Sequence, residues 1–208
     1  NEYIILTLLN NPDVDVNIVN DDNNTPLHLF CSQFRNPNCT EAFNMFLKRG
    51  ADINARNSNG ETPLHRAVEN PSIRMFLVEL LLKNGAEVNA QTNSGQTALH
   101  YATYLQRIDL LSVLILYGAD INIPNQMGES PAMLCESKSK EALFYLRLKS
   151  IIELIKYLHD LNATPETIKA LVMNKVFKWN LRKLTARQMF QMGITDSNES
   201  MRLINSFK

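Results

Sequence analysis

The chain has 208 residues, 45% of them hydrophobic and 20% charged, and its 21 basic side chains balance its 21 acidic ones. That composition fits a soluble globular chain of one large or two small domains and excludes a long disordered tract. No apolar run reaches the roughly 18 residues of a membrane span, no secretory signal opens the chain, and Cys31, Cys39 and Cys135, odd in number and scattered, fit a reducing cytosol.

Tyr3 to Leu9 reads as a short apolar helix, the second helix of a unit whose first helix lies upstream. With no initiating Met, the chain is expected to be a fragment of something longer. The next unit, Asn20 to Arg56, is 37 residues long; TPLH begins at Thr25 and GADIN at Gly50, with the extra residues in an Arg35–Thr40 loop. The unit from Asn57 to Gln91 repeats TPLH at Thr62 and GAEVN at Gly85, with two extra residues near Asn70-Pro71-Ser72. The regular unit is Thr92 to Pro124, 33 residues, with TALH at Thr97 and GADIN at Gly118.

Each unit opens with a turn, Asn59-Gly60, Ser94-Gly95 or Met127-Gly128, where glycine supplies a positive φ. Asn23 takes that place in the first full unit, and asparagine tolerates the same conformation. Thr-Pro-Leu-His then starts a helix, the Thr capping it and the Pro sitting in a first turn where an N–H would have no helical partner. A second helix follows, exemplified by Leu110, Leu111, Val113, Leu114 and Leu116, and stops at Gly118. The last unit starts at Asn125 with SPAM in place of TPLH; its second helix, expected over 139–149, is not followed by GADIN, so this unit caps the array. No single unit can bury its apolar face alone, which requires the units to stack.

Charge changes where the repeats fade. Residues 1–144 carry 10 Lys/Arg against 16 Asp/Glu, and residues 145–208 carry 11 against 5. Beyond the boundary, 151–161 has the spacing of an amphipathic helix, Thr164-Pro165 opens another, and Leu184-Thr185 a third that Met192-Gly193-Ile194 ends. Asp196 or Ser197 then caps a final helix carrying Met201, Leu203, Ile204 and Phe207.

A period of 33 to 37 residues with these motifs resembles the ankyrin repeat over residues 1–149. The order Leu184-Thr185, Met189, Met192-Gly193-Ile194, Arg202-Leu203-Ile204 resembles a sterile alpha motif (SAM) domain; an unrelated helical cap on the solenoid is the alternative. The expected fold is all-α: a solenoid over 1–149 and a SAM-like helical bundle over 150–208.

His28, His65 and His100 hold one position in successive repeats, so they lie a repeat apart and do not converge on a metal or a substrate. The resemblance implies a structural imidazole bonded to nearby backbone and to the motif's Thr. His28, Cys31 and Cys39 lack a fourth soft ligand, and Cys31 falls where the family keeps a small core residue. No GxxxxGK[ST], GxGxxG, GxSxG or HExxH motif is present. Catalysis, metal and cofactor are therefore not expected in these residues.

The ankyrin resemblance implies a concave protein-binding face of hairpin tips and first-helix residues. Here it falls on Asp21, Asp22, Asn24, Ser58, Asn59, Glu61, Glu69, Asn93, Ser94, Gln96, Tyr104, Leu105, Gln126 and Met127. Tyr104, Leu105 and Met127 stand out as apolar anchors among acids that favour a basic partner, and core burial of Leu105 is the competing reading. A second surface is formed by Lys175, Lys178, Trp179, Arg182, Lys183 and Arg187. The SAM resemblance implies a hetero-partner there, or docking onto the acidic repeats. RNA binding through that basic patch is an alternative, as is the regulatory end of a larger signalling enzyme. The leading expectation is a non-catalytic scaffold or targeting unit of the cytoplasm that binds proteins.

Overall fold

A computed structural model describes residues 2–33, 40–71, 75–137, 142–174 and 184–205. Twelve helices and no strand occur among the described residues. The repeat region holds α1 (Glu2–Asn10), α2 (Pro26–Gln33), α3 (Thr40–Lys48), α4 (Pro63–Glu69), α5 (Met75–Lys83), α6 (Ala98–Tyr104), α7 (Ile108–Leu116) and α8 (Pro131–Ser137). After it come α9 (Ala142–Asp160), α10 (Pro165–Met173), α11 (Ala186–Gln191) and α12 (Ser197–Asn205). No helix among the described residues is long and apolar enough to cross a membrane.

The helices form two rows. The inner row runs α2, α4, α6, α8, each packed on the next, while α5, α7 and α9 stack in the outer row, and α1 lies against α3. Inner helices start where the motif says: Thr97 adopts an extended backbone and its Oγ1 accepts the His100 N–H, closing a reciprocal cap. Leu27, Leu64 and Leu99 face the core from the second position of each inner helix, and Phe43, Leu81, Leu110, Leu111 and Leu114 meet them from the outer row. Burying each such side chain contributes on the order of 2 kcal/mol. Cys31 is fully buried in this core, in line with the small core residue expected there.

Arg49 secures the N-terminal half-unit. Its guanidinium donates to the carbonyls of Leu9 (2.5 Å) in the last turn of α1 and of Asn11 (2.8 Å), Pro12 (3.0 Å) and Val14 (2.8 Å) in the segment that follows.

A second cluster, Ile151, Leu154, Ile155, Leu158, Ile168, Leu171, Met189, Ile194 and Leu203, gathers α9 to α12. The capping residues behave as their chemistry dictates. Thr164 Oγ1 accepts from Thr167 N–H, Thr185 pairs with Gln188, and Asp196 accepts from the N–H groups of Asn198 and Glu199.

The boundary near 149/150 differs from expectation in one respect. The helices read over 139–149 and 151–161 are a single one, α9, running unbroken from Ala142 to Asp160. No Gly or Pro lies between, and Ser150 alone is too weak a breaker to end a turn already propagating. The second cluster rests on α7 through Ile108, Ile115 and Leu116, and Lys169 of α10 reaches the buried Glu79 of α5 at 2.5 Å. The C-terminal helices thus pack directly on the outer row.

Candidate protein-recognition face

The hairpins are built by a residue type that the motif reading left unused. Asn57 Oδ1 accepts from the N–H groups of Asn59 (3.0 Å) and Glu61 (2.9 Å), and Asn125 Oδ1 from those of Met127 and Glu129. Asn20 does the same for Asp22 and Asn24. Such side-chain-to-backbone bonds nucleate a turn without tertiary help.

Consecutive tips then join backbone to backbone: Ser58 N–H donates to Asp22 O (2.9 Å), Asn93 N–H to Asn59 O (2.9 Å) and Gln126 N–H to Ser94 O (3.0 Å). A second ladder links the hairpin bases. Asn54 donates to Gly85 O (3.1 Å) and accepts from Glu87 N–H (2.9 Å), and Asn17 and Asn89 repeat both contacts.

The histidines form a third ladder. Nε2 of His28 lies 3.0 Å from Glu61 O, of His65 3.2 Å from Gln96 O, and of His100 3.1 Å from Glu129 O. A carbonyl only accepts, so each Nε2 carries the proton, and Nδ1 accepts from the backbone N–H of Thr25, Thr62 or Thr97. Burial lowers all three imidazole pKa values, that of His65 to about 4, because a second proton would sit at Nδ1 facing a donor.

Against this frame the expected face divides. Asp21, Asp22, Ser58, Asn59, Glu69, Asn93, Ser94, Gln126, Tyr104, Leu105 and Met127 are exposed, and Asn24 and Gln96 are half-buried. Several of the polar ones are already engaged in stacking: Asn93 Nδ2 donates to Ser58 O at 2.9 Å, and Gln126 Nε2 to Asn93 O at 2.6 Å.

Glu61 departs from the exposed acid expected, being only 5% exposed. Burial alone would raise its carboxyl pKa, but hydrogen bonds from Asn57 (2.8 Å) and Tyr101 (3.0 Å), with the Arg66 charge, outweigh that and hold it below the usual carboxylate value. It is a structural anion linking its own repeat to the next. Its sequence position gave no sign of this, because one of its donors, Tyr101, comes from the next repeat.

The apolar trio fares differently. Tyr104 is 42% exposed, Leu105 46% and Met127 82%, so Leu105 does not enter the core. Tyr104 hydroxyl approaches Glu129 Oε2 at 3.4 Å, which brings the end of α6 beside the hairpin that carries Met127. Of the second surface, Lys175, Lys178, Trp179, Arg182 and Lys183 lie outside the described residues; Arg187 is exposed on α11.

Helix pairs stacked in two rows, joined by Asn-built hairpins and a histidine ladder, define a repeat solenoid whose exposed hairpin side is suited to binding. The profile described as "Ankyrin repeats (3 copies)" matches 1–75, 30–125 and 75–166, and the chain belongs to the ankyrin-repeat family. It is 40% identical over 205 residues to a probable serine/threonine-protein kinase of Dictyostelium discoideum, a match covering 99% of this chain and 24% of that protein. Stress-activated protein kinase alpha of the same organism is 40% identical over 204 residues, 98% of this chain and 32% of the relative. The B-cell lymphoma 3 protein homolog of Mus musculus is 38% identical over 126 residues, 60% of this chain and 27% of the relative. The chain thus spans about a quarter to a third of these relatives.

Proposed function

We propose that this chain is a non-catalytic protein-recognition region within a larger signalling protein, binding a partner on the hairpin side of its ankyrin array. The carrying observation is the exposed trio Tyr104, Leu105 and Met127, held beside Glu129 on a face that stacking has made rigid. A preformed face loses little conformational freedom on binding, and a large aromatic ring surrounded by polar groups is the usual anchor. Asp21, Asp22, Glu69 and Glu129 rim the face and favour a basic partner. The cytosol is its expected location, in keeping with three cysteines that are odd in number and scattered.

The test is capture from lysate by the intact chain and by Tyr104→Ala and Met127→Ala variants. A partner held by the native chain and lost with Tyr104→Ala, at an unchanged unfolding midpoint, supports the assignment. Retention by both variants moves recognition elsewhere.

A regulatory role beside a kinase is favoured over a free-standing scaffold by one observation. The similarity to the two kinase relatives runs through the C-terminal helices and covers 98–99% of this chain. On this reading α9 to α12 form a SAM-like unit fixed to the array, a reading supported by the caps at Thr185 and Asp196 and the positive-φ turn at Gly193. Kinase activity of the full-length protein should change when residues 1–208 are removed; unchanged activity and localisation would leave only the scaffold role.

A further inference from the structure

The last repeat departs from those before it at two equivalent positions, and both times the departure is to methionine. At the third hairpin position Asp22, Asn59 and Ser94 give way to Met127; at the third position of the inner helix His28, His65 and His100 give way to Met133. The earlier residues belong to the stacking ladders. The carbonyls of Asp22, Asn59 and Ser94 accept from the next hairpin, and each imidazole bonds the next unit's carbonyl.

A thioether has no proton to donate and accepts only weakly. These two nonetheless stand in solvent, Met127 82% and Met133 56% exposed. Elsewhere among the described side chains Met189 is fully buried and Met45, Met75 and Met192 are half-buried, while Met201 on α12 is exposed outside the array. The outer face of a solenoid's terminal repeat is ordinarily polar, because apolar surface there invites association. Here it carries a side chain that becomes polar by gaining a single oxygen atom, with no change to the backbone. Leucine would supply the same apolar area without that chemistry.

We propose that Met127 and Met133 form a reversible oxidation site that switches off binding at this end of the array, a proposal that rests on the protein-recognition role of that face. The co-reactant is a hydroperoxide. A sulfur lone pair attacks the outer peroxide oxygen, an S–O bond forms as the O–O bond breaks, and the remainder of the peroxide leaves as alcohol or water. Sulfur loses two electrons and the peroxide gains them. A thiol-dependent methionine sulfoxide reductase reverses the step: two thiols become a disulfide and the oxygen leaves as water. Both sulfurs are reachable in the folded chain, so neither direction requires unfolding. A partner that seats an apolar group against Met127 and Tyr104 would have to desolvate the new sulfoxide oxygen without supplying a donor, which opposes binding.

The experiment treats the intact chain with dilute hydrogen peroxide and reads each methionine by peptide mass spectrometry. Met127 and Met133 should be oxidised at least tenfold faster than Met189, at an unchanged unfolding midpoint. Retention of the chain on a phenyl matrix should fall, and methionine sulfoxide reductase with a dithiol should restore it. In Met127→Leu/Met133→Leu, which stays apolar and cannot be oxidised, peroxide should leave retention unchanged although Met201 is still oxidised. Partner capture should drop at least fivefold on oxidation of the native chain and be insensitive to peroxide in the double variant. Oxidation of Met127 and Met133 no faster than that of Met189 overturns the proposal, as does a midpoint that falls with their oxidation or a retention loss that persists in the double variant. A reduced chain that captures no partner refutes the recognition role itself, whereas equal capture by reduced and oxidised chain refutes the switch alone.

Discussion

Acidification should unfold this array through its histidine ladder before its carboxylates are touched. His65 has a folded pKa of about 4 against 6.5 for a free imidazole, because burial disfavours the charged ring and outweighs the Nε2–H···O=C bond to Gln96, which alone would raise it. The unfolded chain therefore binds more protons between those values. The stability from the neutral imidazole is fully present above pH 6.5 and is lost as pH falls toward 4. Between pH 7.5 and 5, linkage makes this loss about 2 kcal/mol for His65 alone. His28 and His100 are shifted in the same direction and add to it. Glu61, held low by Asn57, Tyr101 and Arg66, contributes stability that is lost only below the ordinary carboxylate value of 4.5, so a window ending at pH 5 isolates the imidazoles.

Urea unfolding at pH 7.5, 6.0 and 5.0 measures the effect. The midpoint should fall steadily across the series at constant m-value, and the His65 ring protons should not titrate by NMR above pH 5. In His65→Met the pH 7.5 midpoint should fall and the slope with pH should flatten. Losing the imidazole leaves Thr62 N–H without its acceptor and removes the donor to Gln96 O, at a cost of about 1–3 kcal/mol. A midpoint that does not move between pH 7.5 and 5, or an imidazole that titrates near 6.5, would refute this account.

Gly95 and Gly128 share a φ of +77°, but a Cβ on Gly95 would lie 2.8 Å from the Gln126 backbone nitrogen whereas one on Gly128 meets nothing within 4 Å. Gly95→Ala should therefore cost at least about 1–3 kcal/mol more than Gly128→Ala in chemical denaturation, and equal losses would mean that backbone strain, not hairpin stacking, dominates. Arg49→Lys should destabilise by about 1–3 kcal/mol and speed amide exchange in α1, since an ammonium cannot span four carbonyls; a neutral result would remove the guanidinium from the account. Lys169→Ala should cost about 1 kcal/mol and loosen α10 in hydrogen exchange while Lys83 keeps Glu79 paired. Unchanged protection in α10 would show that apolar packing alone holds the C-terminal helices.

The repeated motifs made the helix pairs, their caps and the histidine ladder legible, because each depends on residues within one repeat or at a fixed offset from it. Cys31 was legible as core for the same reason. Contacts without a fixed offset were not legible. Glu61 looked like a surface acid because its burial depends on Tyr101, 40 positions away, and Lys169 meets Glu79 across 90 positions. The asparagines were passed over for another reason: Asn17, Asn54 and Asn89 recur with the repeat, but a polar residue in a turn looks generic until the next unit's Gly carbonyl and backbone N–H are placed against it. Much of the polar character expected of the recognition face is this internal stacking.

On the proposed reading, recognition concentrates at the C-terminal end of the array. Three series stop together there. Met133 replaces the histidine and is 56% exposed, a Cβ on Gly128 would meet open space, and Asn122 Nδ2 turns to Asp120 of its own turn instead of to a following Gly carbonyl. The outer row behaves differently, since α9 continues past the last repeat and α10 packs against α7. Among the described residues the outer row is covered while Met127, Met133 and the neighbouring Tyr104 stay exposed on an otherwise stacked scaffold. Apolar side chains held exposed by a rigid frame are unfavourable in the free protein. They are also the positions at which a bound partner removes the most apolar surface for the least loss of conformational freedom, so that edge is where substitutions should separate binding from stability.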